Sequence, residues 1–79
     1  MDRVKKGAVV LVTAGKEKNS IFVVIKDLEP HRVLIADGRH RKLNNPKRKS
    51  VKHLEVIGQL AELPERDRLI WESLSSFRG

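Results

Sequence analysis

The 79-residue chain predicts a mainly β fold with a C-terminal α-helix, and three observations carry that expectation. Short runs dense in Val and Ile recur at residues 8–13, 21–26, 32–36 and 51–57, a composition that favours pleated, partly buried strands. Turn-forming residues separate the runs: Gly15, Asp37-Gly38 and Asn44-Asn45-Pro46. After Gly58 the apolar spacing changes, with Ile70, Leu74 and Phe77 at i, i+4 and i+7, the stripe of an amphipathic helix.

Taken in order, residues 8–13 form the first strand. Val9, Val10, Leu11 and Val12 are apolar without alternation, so both faces of this strand are covered, as in a small closed or strongly curled sheet. A charged turn started by Gly15 leads to the second strand at 21–26, and 32–36 is the third. Asp37-Gly38 follows directly and supplies the positive-φ residues of a two-residue hairpin, which places the start of a fourth strand near Arg39. Asn44-Asn45-Pro46 interrupts regular structure, because proline lacks the ladder N–H and restricts its neighbour. Residues 51–57 are then the last strand. In the helix, Pro64 suits the first turn, Glu62, Glu65 and Asp67 lie near the positive end and Arg78 near the negative end. Trp71 stands beside the apolar face and is expected to pack, while the helix covers an open end of the sheet. Four or five short strands with tight turns in so small a chain indicate an SH3-like barrel; an OB-fold, the main rival, needs more strand length. The expected organisation is a barrel over residues 1–58 and a helix packed on it over 59–79.

Charge points to the partner. Lys and Arg number 17 against 10 Asp and Glu, giving a net charge of +7 and a pI of about 10.3, the balance of a nucleic-acid-binding protein. The excess is confined to residues 1–55, which carry a net +8, whereas residues 56–79 carry −1. The chain has no cysteine, which excludes disulfides and thiolate metal sites and fits the reducing cytoplasm. Its apolar runs fall far short of the roughly 20 residues that span a bilayer, and the start MDRVKKG leads into no hydrophobic signal core. A cytoplasmic monomer without a membrane role is expected.

Candidate nucleic-acid contacts concentrate in one segment, where Arg39, Arg41, Lys42, Lys47, Arg48, Lys49 and Lys52 occur with no acidic residue among them. Cations so crowded repel one another, and a polyanion relieves that repulsion. Arg39, Arg41 and Arg48 can fork onto a phosphate or a guanine edge. His40 and His53 lie within the segment and can donate hydrogen bonds to RNA, although His53 reads equally well as a buried strand residue. With His31 they are spaced by 9 and 13 residues, which matches no compact metal-ligand motif. Asp37 is committed to its turn, and no Ser-His-Asp order, P-loop or dinucleotide-binding turn occurs, so neither catalysis nor a cofactor is expected. The three aromatic residues, Phe22, Trp71 and Phe77, stand apart from the basic segment, which favours recognition of shape and backbone over base stacking. The alternative in a different class is a protein-interaction adaptor that docks through the barrel or the helix face. Association with anionic lipid is a third reading, without a basic amphipathic helix or lipid anchor to carry it.

Lys6-Gly7-Ala8-Val9-Val10, Ala14-Gly15-Lys16 and Phe22-Val23-Val24 together resemble the KOW motif, the strand-loop-strand unit of several ribosomal proteins and NusG-type transcription factors. The second half, with ADG, NPK and KHL in order, is similar to the small bacterial KOW-domain proteins related to the L14e/L27e-type ribosomal proteins. The resemblance covers residues 3–54 and leaves the helix outside it. It implies an SH3-like barrel that binds structured RNA, ribosomal RNA above all, with ribosomal proteins or a transcription or translation factor as further partners. Lys16 and Lys18 match the basic residues of the KOW loop, and Gly15 its turn. Where many KOW loops carry a second glycine, this chain has Asn19-Ser20; asparagine tolerates the left-handed backbone better than other side chains do.

Overall fold

The computed structural model describes residues 4–28 and 30–78; residues 1–3, 29 and 79, which fall in the two expected segments, lie outside it. Five strands form one antiparallel sheet in the order β4-β3-β2-β1-β5. They are β1 (Ala8–Val12), β2 (Ile21–Leu28), β3 (Arg32–Ala36), β4 (Lys47–Ser50) and β5 (Leu54–Gln59), followed by the helix α1 (Asp67–Ser73) and a 3-10 turn, Ser75–Phe77. No helix among the described residues is long and apolar enough to cross a membrane.

Period-two alternation sorts the strand side chains into two layers. Ala8, Val10 and Val12 of β1, Phe22 and Val24 of β2, and Val33 and Ile35 of β3 form one core, with Val4, Val51 and Leu54 against it. The intervening residues Val9 and Val23 face the other way and are buried under Ile70 and Leu74 of the C-terminal segment. This explains the unbroken apolar run of β1: its second face is covered by the helix. The helix therefore lies on a face of the sheet and does not cap an end of it, contrary to expectation. It is also shorter than expected, since Pro64, Glu62 and Glu65 precede it and Asp67 alone is an acidic residue in its first turn.

Two irregularities bend the sheet. Val9 pairs with Gly58 but Val10 with Val56, leaving Ile57 extra on β5; Val24 pairs with Ile35 but Lys26 with Leu34, leaving Ile25 extra on β2. Such bulges sharpen the local twist. Between β4 and β5 the chain leaves the β3 ladder through a 3-10 turn, Val51–His53, and joins β1 at the Val12–Leu54 pair. The strand expected at 51–57 thus starts three residues late, because the chain must first change partners.

The fourth strand also departs from expectation. Only Gly38 of the Asp-Gly pair has a positive φ, +83°, and residues 39–46 form a loop before β4 begins at Lys47, directly after the Asn44-Asn45-Pro46 interruption. At Asn19, by contrast, the left-handed backbone anticipated for a glycine substitute is present, with φ of 76°.

Gly38 and Gly15 both adopt positive φ, but their surroundings differ. A Cβ at Gly38 would collide with the Asp67 backbone carbonyl, whereas at Gly15 it would meet only the terminal amine of the long Lys49 side chain. Gly38→Ala is expected to lower stability by about 2–4 kcal/mol and Gly15→Ala by about 1 kcal/mol, the left-handed penalty alone. Urea unfolding of the two variants checks the order; equal losses would mean that the Gly38–Asp67 contact does not constrain the fold.

Candidate nucleic-acid interface

The sheet register brings two basic segments to one place. The β1–β2 turn follows the Leu11–Ile21 pair, and the β3–β4 loop follows the Val23–Ala36 and Ile35–Lys47 pairs, so the two leave the sheet side by side. Successive tight turns shape residues 13–20: Lys18 N–H donates to Gly15 O at 3.2 Å and Ser20 N–H to Glu17 O at 2.9 Å. This leaves Lys16 and Lys18 exposed and points Glu17 toward β4. Its two carboxylate oxygens lie 3.7 Å from Lys47 Nζ and 3.9 Å from Lys49 Nζ. The cationic segment therefore has a counter-charge, supplied from 30 positions upstream of Lys47 and invisible within the segment. The Lys49 side chain keeps 12% exposure and that of Lys47 29%, so these two present less of themselves to a partner than Lys16, Lys18, Arg39 and Lys42, all exposed.

Asp37 builds the loop. Its side chain is buried, and Oδ1 accepts the N–H groups of Arg39, His40 and Arg41 at 2.9, 2.8 and 2.9 Å. Arg41 O in turn accepts from Asp37 N and Gly38 N, both at 3.0 Å. N–H groups bound in this way cannot enter a β ladder, which is why no strand starts at Arg39. The other carboxylate oxygen lies 2.9 Å from His40 Nδ1; an ionised carboxylate only accepts, so Nδ1 carries the proton and Nε2 faces outward. Burial pushes the Asp37 carboxyl up, but the hydrogen bonds from Arg41, Arg39 and His40 outweigh it and hold the group below its ordinary 3.8. The far side of the loop is fixed by Leu43 N–H, which donates to Asp67 Oδ1 of α1 at 2.7 Å.

That clamp brings the helix to the basic loop. The Arg78 guanidinium lies 3.5 Å from the centre of the Trp71 ring and the Arg39 guanidinium 4.9 Å from it. The His40 ring meets Trp71 edge-on at 6.0 Å. Arg78 is held in place by donating to Trp71 O at 3.1 Å. A cleft of about 490 Å³ opens here, with Trp71, Arg78 and His40 on one side and Asn19 and Ser20 of the first turn on the other. The sequence predicts Trp71 among packing residues away from the cations, and the structure sets it beside two arginines. One signal was available: Trp71 lies beside the Ile70, Leu74, Phe77 stripe and not on it, so its ring had to leave the core.

Two of the remaining candidates lie elsewhere on the surface. Arg48 and Lys52 are exposed and line a separate cleft of about 730 Å³ with His31 and Arg32. Arg41 is half-buried, and so is His53, whose carbonyl accepts the Thr13 N–H at 2.9 Å. Gly15, Asp37 and Gly38 occupy turn or loop positions. Among the described residues no three His, Asp or Glu side chains gather in a way that would hold a metal ion.

Asp37→Asn should cost about 1.5–3 kcal/mol at pH 7, the worth of hydrogen bonds to a charged group. Because the folded-state pKa lies below the unfolded one, this contribution is complete above pH 3.8 and is lost as pH falls through the folded value. Urea midpoints from pH 6 to pH 2 should therefore fall less steeply for Asp37→Asn than for the wild type; parallel curves would remove the charge from the account of the loop.

No protein-family model and no curated protein sequence matches this chain.

Proposed function

We propose that this chain is a non-catalytic RNA-binding module of the KOW type, an SH3-like barrel acting as a cytoplasmic monomer on structured RNA. Ribosomal RNA is the first target to consider, in translation or ribosome biogenesis. The observation that carries the reading is the meeting of two basic segments: the turn bearing Lys16 and Lys18 stands against the β3–β4 region bearing Lys42, Lys47 and Lys49, joined across Glu17. One carboxylate among so many cations leaves a positive surface, and phosphates are its natural complement. The barrel reading is supported by the strand order, by bulges in two ladders and by the 3-10 turn that delivers β5 to β1. An adaptor docking through the helix is less favoured, because Ile70 and Leu74 of that face are buried against Val9 and Val23.

Binding to a labelled RNA hairpin, followed by fluorescence anisotropy, tests the reading. If four to seven cations meet phosphates, the logarithm of affinity should fall with log salt at a slope of roughly −3 to −6, at about −0.7 per phosphate for single strands and about −0.9 for a duplex. Lys16→Glu with Lys42→Glu, both at exposed positions, should weaken binding by about 10-fold or more while leaving the fold intact. Unchanged affinity in that folded double variant would sink the surface. Removing the internal counter-charge should act in the opposite direction, with Glu17→Gln tightening binding by roughly 2- to 10-fold at low salt. An unaltered constant there would mean that Lys47 and Lys49 lie off the RNA.

A further inference from the structure

We infer that the cleft at Trp71 receives one unpaired nucleotide of the bound RNA, its base stacked on the Trp71–Arg78 pair and its phosphate drawn by Arg39. The inference rests on the RNA-binding reading above and gives it a specific element that the cationic surface lacks. Three kinds of group converge here. The first is a π surface: the Arg78 guanidinium already lies over the indole at 3.5 Å, and a base can add to the open face of that exposed guanidinium or take its place on the ring. The second is positive charge beside that surface, from Arg78 and from Arg39 at 4.9 Å, which suits a phosphodiester and repels a cationic ligand. The third is a polar edge from Asn19, Ser20 and His40, residue types that supply the donors and acceptors able to read a base edge.

The dimensions agree with that occupant. About 490 Å³ falls within the roughly 300–1,000 Å³ of small-molecule sites. Asp37 borders the cleft and its ionised carboxylate opposes an entering phosphate; the guanidinium groups of Arg39 and Arg78 beside the Trp71 ring outnumber that one charge. A base within an A-form duplex cannot reach a ring half-buried between two loops, whereas a bulged or looped-out base can. An acidic peptide would satisfy the arginines and leave the indole plane unused. The site thus distinguishes an irregular RNA from a perfect helix, which the lysines alone do not.

Trp71 is the sole tryptophan of the chain, and there is no tyrosine, so its emission reports the site directly. The experiment compares a hairpin carrying one bulged adenosine with its fully paired counterpart, by anisotropy and by Trp71 emission, at one salt concentration. The bulged hairpin is expected to bind roughly 5- to 100-fold more tightly, the range of one base–aromatic stack, and to quench Trp71 where the paired one does not. Trp71→Leu should bring the bulged affinity down toward the paired one. Arg78→Ala, at an exposed position, should reduce the preference and serves if Trp71→Leu fails to fold. Equal binding of both hairpins with unchanged Trp71 emission would overturn the nucleotide site and leave the general RNA reading standing. Binding of neither, even at low salt, would overturn both.

Discussion

The carboxylate of Asp37 ties together parts of this chain that otherwise have no reason to meet. Buried at the end of β3, it would carry a large desolvation cost if unpartnered; three backbone N–H groups and the His40 ring offset that cost. Those N–H groups are withdrawn from the sheet, so the chain turns outward at residues 39–41 and directs basic side chains away from the core. Gly38, with no side chain, lets the same loop press against the Asp67 carbonyl, and Asp67 completes the clamp by accepting the Leu43 N–H. Loop and helix are thus set by two aspartates acting across 30 positions of sequence.

The helix depends on that arrangement as much as the loop does. Seven residues make too short a helix to persist alone in water. Its stability comes from Ile70 and Leu74 closing over Val9 and Val23, and this burial covers the second face of β1. Core packing and the Trp71 cleft are therefore coupled, since the element that seals the apolar layer also holds the indole beside Arg39 and His40. A short segment can serve both purposes because Ile70 and Trp71 are adjacent in sequence, and adjacent residues on a helix point about 100° apart.

Electrostatics in this molecule balance attraction within the fold against availability to a partner. Glu17 relieves repulsion between Lys47 and Lys49 and partly withdraws them, while Lys16, Lys18, Arg39 and Lys42 stay at the surface. Pairs at 3.7 and 3.9 Å in partly solvated positions are worth little to stability. The backbone hydrogen bonds of residues 13–20 set the turn, and the pairs place one negative charge beside Lys47 and Lys49.

The sequence alone determined the mainly β class, the positions of β1, β2 and β3, the left-handed turn at Asn19 and the concentration of charge, because these depend on local propensity, on backbone sterics and on composition. It misplaced β4 and the start of β5, because Asp37 could close either a tight hairpin or a wider loop, and a strand that changes partners leaves no local mark. It left Glu17 and Trp71 out of the basic segment for a related reason. Their neighbours in space are far away in sequence, and only the pairing of strands and the packing of α1 on β1 and β2 decided that they stand among the cations.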